Sequence, residues 1–240
     1  MNTQTKRTAI LAKNLELLYG KHKKSLLFHG WHHIYFVAKK AVEFANELDV
    51  NKEIVEAAAL THDLNYIVDV RAQGPEAGTA LRTKYLKEAG FSESEISEIN
   101  KIVLEEHTAY RHANISDAAK VLSDADSLFK VMPINPVLFS SKFITETKSD
   151  LRAWATRIIN EQKPLMEQGI YFYTDIAKCK YTAWAETDLE LVEQVLEALD
   201  DLAGRPFPYT ITASIRSFPV IVKWCTNRMC YGRFGSPKYS

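Results

Sequence analysis

The chemistry in this chain of 240 residues gathers around the dipeptide His62-Asp63, near the end of an alanine-rich helical stretch. Upstream lies a histidine cluster, His29-Gly30-Trp31-His32-His33. Downstream come His107, in Glu105-Glu106-His107, and Asp124, in Ser123-Asp124-Ala125-Asp126. Imidazoles and carboxylates suit a borderline-to-hard divalent metal, and a His/His/Asp/Asp set leaves coordination positions for water and substrate. A His-Asp pair alone carries no weight, because chance produces such pairs in many chains. The ordered set is the signal.

Helical periodicity supplies the elements that must position these groups. Ile34, Val37, Ala38, Ala41, Val42, Ala45 and Leu48 recur at three-and-four spacing and predict a helix over 31–48. Asn51 can cap the next helix, whose apolar side is Val55, Ala58, Ala59 and His62. Gly74-Pro75 opens a third that runs to Gly90. Ser92-Glu93-Ser94-Glu95 and Thr187-Asp188-Leu189-Glu190 read as capping boxes, and Ser116 as a further cap. A helix before Gly20 (Ile10, Leu11, Leu15, Leu18) and another over Leu151, Trp154, Ala155, Ile158 and Ile159 complete an all-α reading of residues 1–203.

On these faces His33 stands four before Val37, His62 follows Ala58 by four, and His107 follows Val103 by four. Asp124 lies three after Val121 and four before Leu128, which aims it at the core; Asp126 is expected to face away. An inward carboxylate needs a cation, a hydrogen-bond network or a proton. Three inward imidazoles point to the cation. His22 and His112 read as surface residues, His32 as pointing elsewhere, and His29 as either a substrate contact or a loop residue.

Composition bounds the rest. Lys plus Arg balance Asp plus Glu at 30 each, so no global charge draws the chain to nucleic acid or membrane. The balance hides a basic, Pro-containing tail, residues 204–240, with Arg205, Arg216, Lys223, Arg228, Arg233 and Lys238, no acidic residue, and a β-leaning run Tyr209-Thr210-Ile211-Thr212. Its aromatics could stack on a single strand, but the charge density is modest, so nucleic-acid binding is not expected and docking on the acidic body is the simpler electrostatic account. Three cysteines without ligand-like spacing, no apolar leader and no membrane-length apolar run lead to the expectation of a cytoplasmic, soluble protein. No phosphate-cradling glycine motif is present.

The order His33, His62-Asp63, Asp124 on a helical background resembles the HD-domain superfamily of metal-dependent phosphohydrolases. His33-Ile34-Tyr35-Phe36-Val37 is similar to the family's first motif and His62-Asp63-Leu64 with Tyr66 to its central one. Glu105-Glu106-His107 and Ser123-Asp124-Ala125-Asp126-Ser127-Leu128 resemble the later motifs. The likeness covers about residues 25–130 and implies an HD-domain helical bundle, followed by the irregular or β-leaning tail. It further implies that His33, His62, Asp63 and Asp124 ligate one divalent metal (Mn, Fe, Co, Ni, Zn or Mg). A dinuclear site would need His107 and Glu76 as additional ligands. Some members carry a Glu where this chain has Tyr66, so that acid is missing or comes from elsewhere.

The implied activity is hydrolysis of a phosphoester of a small phosphorylated metabolite, such as a nucleotide. The metal lowers the pKa of water and polarises a phosphoryl oxygen. His107 is expected as proton donor or phosphate contact, Asp69 as an assisting acid or base beside Asp63, and His29, Arg71, Arg82 and Arg111 as phosphate contacts. The alternatives are a dinuclear-iron oxygenase on the same scaffold, or a non-catalytic module that binds a nucleotide or metal.

Overall fold

A computed structural model describes residues 6–69 and 74–203; Arg71 and the segment 204–240 lie outside the described residues. Among the described residues the protein is all helical, without a strand. Eleven α-helices follow in order: α1 Lys6–His22, α2 Trp31–Phe44, α3 Lys52–Thr61, α4 Leu64–Val68, α5 Thr79–Ala89, α6 Glu93–Glu106, α7 Asp117–Val131, α8 Asn135–Leu138, α9 Ser140–Thr147, α10 Leu151–Glu167 and α11 Asp175–Ala203. None is long and apolar enough to cross a membrane.

Local chemistry accounts for most of the boundaries. The Asn51 side chain accepts from the amides of Glu53 and Ile54 at the start of α3. Both halves of the capping box Ser92–Glu95 form at the start of α6, and the Ser116 hydroxyl accepts from Ala119 at the start of α7. Gly90 ends α5 in the left-handed region at φ 93°, where a Cβ would be strained. Gly30 precedes α2 because a Cβ there would lie 2.7 Å from the Leu26 carbonyl oxygen.

Three expectations change. The helix predicted over 31–48 ends at Phe44, where the Asn46 amide side chain donates to the Glu43 carbonyl. The segment after Gly74 begins as a 3-10 turn, Pro75–Gly78, before becoming α5. Thr187 caps nothing: α11 already starts at Asp175, and the Thr187 hydroxyl donates back to the Ala183 carbonyl inside it. Asp188, read as part of that box, faces the core instead.

The core is a set of helices packed around α7, which contacts α2, α3, α6 and α11. Every residue from Val121 to Phe129 is buried, so α7 has no solvent face over that stretch. Ala57, Ala58 and Ala59 on α3 are fully buried and let α2, α6 and α7 approach closely.

Arg82, expected as a phosphate contact, is a structural residue at 1% exposure. It donates to the Thr61 carbonyl at 3.2 Å, the Pro75 carbonyl at 3.0 Å and Asn100 Oδ1 at 2.9 Å, tying the end of α3 to the turn before α5 and to α6. With its whole donor fork engaged, it has little left for a ligand. Arg82→Met should cost about 3 kcal/mol or more, because two buried carbonyls lose their donor. Urea denaturation measures this, and a loss below about 1 kcal/mol would contradict the assigned role.

Candidate metal centre and its cavity

Helix α3 ends at Thr61 and α4 starts at Leu64, so His62-Asp63 sits in the break between them. Consecutive residues of an uninterrupted helix diverge; at this break their side chains converge. His62 Nε2 and Asp63 Oδ2 lie 3.2 Å apart, and His33 Nε2 from α2 lies 2.9 Å from Asp63 Oδ2 and 3.2 Å from His62 Nε2. Adjacent donors around a six-coordinate ion with bonds of about 2.1 Å are about 3.0 Å apart, so these three atoms have the spacing of ligands on one ion.

The donor chemistry fits as well. The His62 Nδ1–H donates to the Ala59 carbonyl at 2.7 Å, which aims Nε2 at the cluster as the atom that would bind the ion once its proton is displaced. His33 Nδ1 is buried with no hydrogen-bond partner, so the polar contacts of that ring lie on its Nε2 side, toward the cluster. Burial opposes the charged form of His62, but the Asp63 carboxylate outweighs it and raises the pKa to about 9; burial prevails at His33 and lowers it. Asp63 is held well below the usual carboxylate range by the two imidazoles, against the effect of burial. The cluster already balances cationic against anionic charge, the exchange a divalent ion would take over.

The second acid that the structure brings beside the cluster is Asp126, and Asp124 lies away from it. Asp126 Oδ1 lies 3.5 Å from His33 Nε2 and 4.0 Å from His62 Nε2, while Oδ2 pairs with Lys130 Nζ at 2.6 Å and lies 3.8 Å from the Arg111 guanidinium. Despite burial, Lys130 and the histidines keep Asp126 below the ordinary range. Asp124 points to the opposite side of α7. Its Oδ1 accepts from the Tyr173 amide, and its Oδ2 from the Thr174 amide and hydroxyl, all at 2.7 Å. It pins the segment before α11, and burial raises its pKa to about 6 against those hydrogen bonds. Apolar spacing could not separate the two acids, because it assumes a helix with one buried face and α7 is buried all round over that stretch.

The other expected site residues divide. His107, at the end of α6, lines the cavity described below; its Nδ1 accepts from the Ala109 amide, which leaves the ring proton on Nε2, and burial lowers its pKa. His29 also lines the cavity, but its Nδ1 is paired with Glu146 Oε1 at 2.5 Å and its ring stacks on Tyr66 at 3.7 Å. Arg111 lines the cavity too, and it donates to the Glu106 carbonyl and the Ser127 hydroxyl, which buttresses Asp126 and α7. Asp69 is exposed beyond α4 and does not line the cavity. Glu76 is exposed and accepts from the Tyr110 hydroxyl at 2.9 Å.

A cavity of about 600 Å³ opens onto Asp63 and Asp126, with His107, Lys130, Arg157 and Glu106 around it. Lys130 was missed in the sequence; its signal is the i,i+4 spacing from Asp126, visible only once that acid is known. Arg157 is missed for a different reason: it arrives from α10, far along the chain.

Residues 30–130 match the family model described as HD domain. They form an HD domain. The likeness extends to two solved structures from Bacillus subtilis. YpgQ in complex with ADP is 22% identical, with a TM-score of 0.53 over 83% of this chain and 97% of that one. Selenomethionine-containing YpgQ is 20% identical, with a TM-score of 0.54 over 80% and 95%. Both are likenesses of fold. No curated protein matches the chain.

The HD domain thus supplies the His33–His62–Asp63 cluster, Asp126 and Lys130, while α10 and α11, beyond its matched residues, build another wall of the cavity. Within the HD domain, Glu106 is a buried carboxyl raised to about 7, first by desolvation and then by Asp126. A folded-state pKa above the unfolded one contributes stability present below about pH 4.5 and lost as pH rises through about 7. Metal-free Glu106→Gln should therefore lose less melting temperature than the parent between pH 4.5 and 7.5. Parallel pH curves would show that Glu106 is not held protonated.

Proposed function

We propose that the protein is a metal-dependent phosphohydrolase that cleaves a phosphoester of a small phosphorylated metabolite, with a nucleotide as the substrate class. The observation that carries the reading is the convergence of His33 Nε2, His62 Nε2 and Asp63 Oδ2 within 3.2 Å, beside Asp126 and at a cavity bearing Lys130. The family supports the reaction class, since HD domains are metal-dependent phosphohydrolases. A volume of about 600 Å³ accommodates a nucleotide. YpgQ, similar in fold, has been crystallised with ADP.

His33, His62, Asp63 and Asp126 would hold one divalent ion, of the Mn, Fe, Co, Ni, Zn or Mg group. Such an ion supplies Lewis-acid polarisation of the phosphoryl group and activation of water. The chain's own residues do the rest. Lys130 sets a positive charge beside Asp126, where it can meet a phosphate oxygen. His107, neutral with its proton on Nε2, donates to the phosphate or the leaving oxygen. Arg111 and Arg82 hold the ligand-bearing helices in place from behind.

Elemental analysis of purified protein, with a phosphatase screen on the same sample, tests the reading. One metal per chain and hydrolysis with added Mn²⁺ are expected. No hydrolysis with any of the six metals would mean that the scaffold binds without catalysis. His107→Ala should lower kcat by about 10²-fold or more while metal content stays constant; an unchanged kcat removes His107 from the mechanism.

A further inference from the structure

The cavity wall built by α10 and α11 carries two polar groups that nothing in the fold uses. Asp188 faces inward from α11 on the buried stripe of Ala185 and Val192 and is 8% exposed. Trp154 on α10 is 9% exposed. Among the described residues the Asp188 carboxylate has no hydrogen-bond or ion-pair partner, and the Trp154 indole N–H has none either. Both line the same cavity as Asp63, Asp126 and Lys130.

The Asp188 carboxyl reaches solvent only through the cavity that it lines, and desolvation alone raises it to about 7. Polar atoms that line a cavity without a partner in the protein are placed to meet complementary groups of a ligand. The neighbouring lining is apolar, with Ile158 half-buried and Leu165 buried, which suits the faces of a flat heterocycle. One acceptor and one donor on such a wall match the edge of an amino-bearing base, which offers N–H beside a ring nitrogen or carbonyl.

We propose that this wall is a base-recognition subsite, in which Asp188 accepts from the exocyclic amino group of a nucleobase and the Trp154 indole donates to the same base. The inference rests on the nucleotide reading of the phosphate-binding part of the cavity. It makes Asp188 a specificity-determining residue outside the matched HD domain.

Equilibrium binding of methylene-bridged nucleoside diphosphates tests it, since these analogues resist hydrolysis of the bridged linkage and report affinity whether or not the protein is an enzyme. The adenosine form is compared with the purine riboside form, and the guanosine form with the inosine form; each pair differs by one amino group. In the parent protein at least one pair should differ by about tenfold in favour of the amino base, as for a hydrogen bond to a charged group. Asp188→Leu should abolish that difference, leave binding of inorganic pyrophosphate unchanged, and melt no lower than the parent. Asp188→Asn keeps the volume and one acceptor, and should show an intermediate preference. No preference in the parent, or one that survives in folded Asp188→Leu, overturns the subsite. Selective binding without any phosphatase activity would sink the hydrolase reading and leave the subsite standing, whereas hydrolysis without amino-group selectivity would do the reverse.

Discussion

Asp63→Ala is expected to purify without metal and to hydrolyse phosphoesters at least about 10³-fold more slowly than the parent protein. The physical case is electrostatic. Asp63 Oδ2 lies 2.9 Å from His33 Nε2 and 3.2 Å from His62 Nε2, and it brings negative charge to the cluster. Without it, two buried imidazoles face each other at 3.2 Å, with Asp126 farther off and already engaged by Lys130. Two neutral nitrogens hold a divalent ion far less well than the same pair with carboxylates. Helical content by circular dichroism should survive, because the Asp63 side chain makes no capping hydrogen bond at α4. Retained metal in folded Asp63→Ala would remove this cluster from the mechanism.

The second large effect separates two acids that stand two residues apart. Asp126→Asn should lower metal affinity by about 10-fold to 100-fold and reduce hydrolysis with it, since the amide loses the charge that faces His33 and His62. Asp124→Asn should keep its metal and its rate per folded molecule. Its loss is in stability, by about 1–3 kcal/mol, because an amide presents only one acceptor oxygen to three donors from Tyr173 and Thr174. Metal titration and urea denaturation of both variants decide the assignment. Metal lost from Asp124→Asn and kept in Asp126→Asn would restore the order read from apolar spacing.

These two acids also mark the limit of the sequence. The helices were legible because their signals are local: Asn51, Ser92 with Glu95, Ser116 and Gly90 each act within a few residues of the boundary they set. His33 was legible because α2 packs with one main buried face, so period and orientation agree, whereas His62 was marked by its neighbour Asp63, since α3 is buried without interruption from Ala57. From Val121 to Phe129 α7 has no exposed face, so its period carries no direction there, and only contacts with the segment before α11 show which side Asp124 takes. Thr187 illustrates the same limit, since a capping pattern cannot reveal that the helix has already begun at Asp175.

Nearness in sequence was a partial guide to the cations. Arg82 is spent on backbone carbonyls and Asn100, Arg111 lines the cavity while donating to the Glu106 carbonyl and the Ser127 hydroxyl, and Lys130 and Arg157 reach the cavity from α7 and α10. Helical class and the histidine–aspartate pair could be read from the chain, because capping, periodicity and ligand chemistry are local properties of residue type. Which acid stands beside that pair, which cations line the cavity and which wall holds Asp188 emerge only in the folded molecule. Those depend on which helices meet around α7, and packing between distant segments leaves no period in the chain.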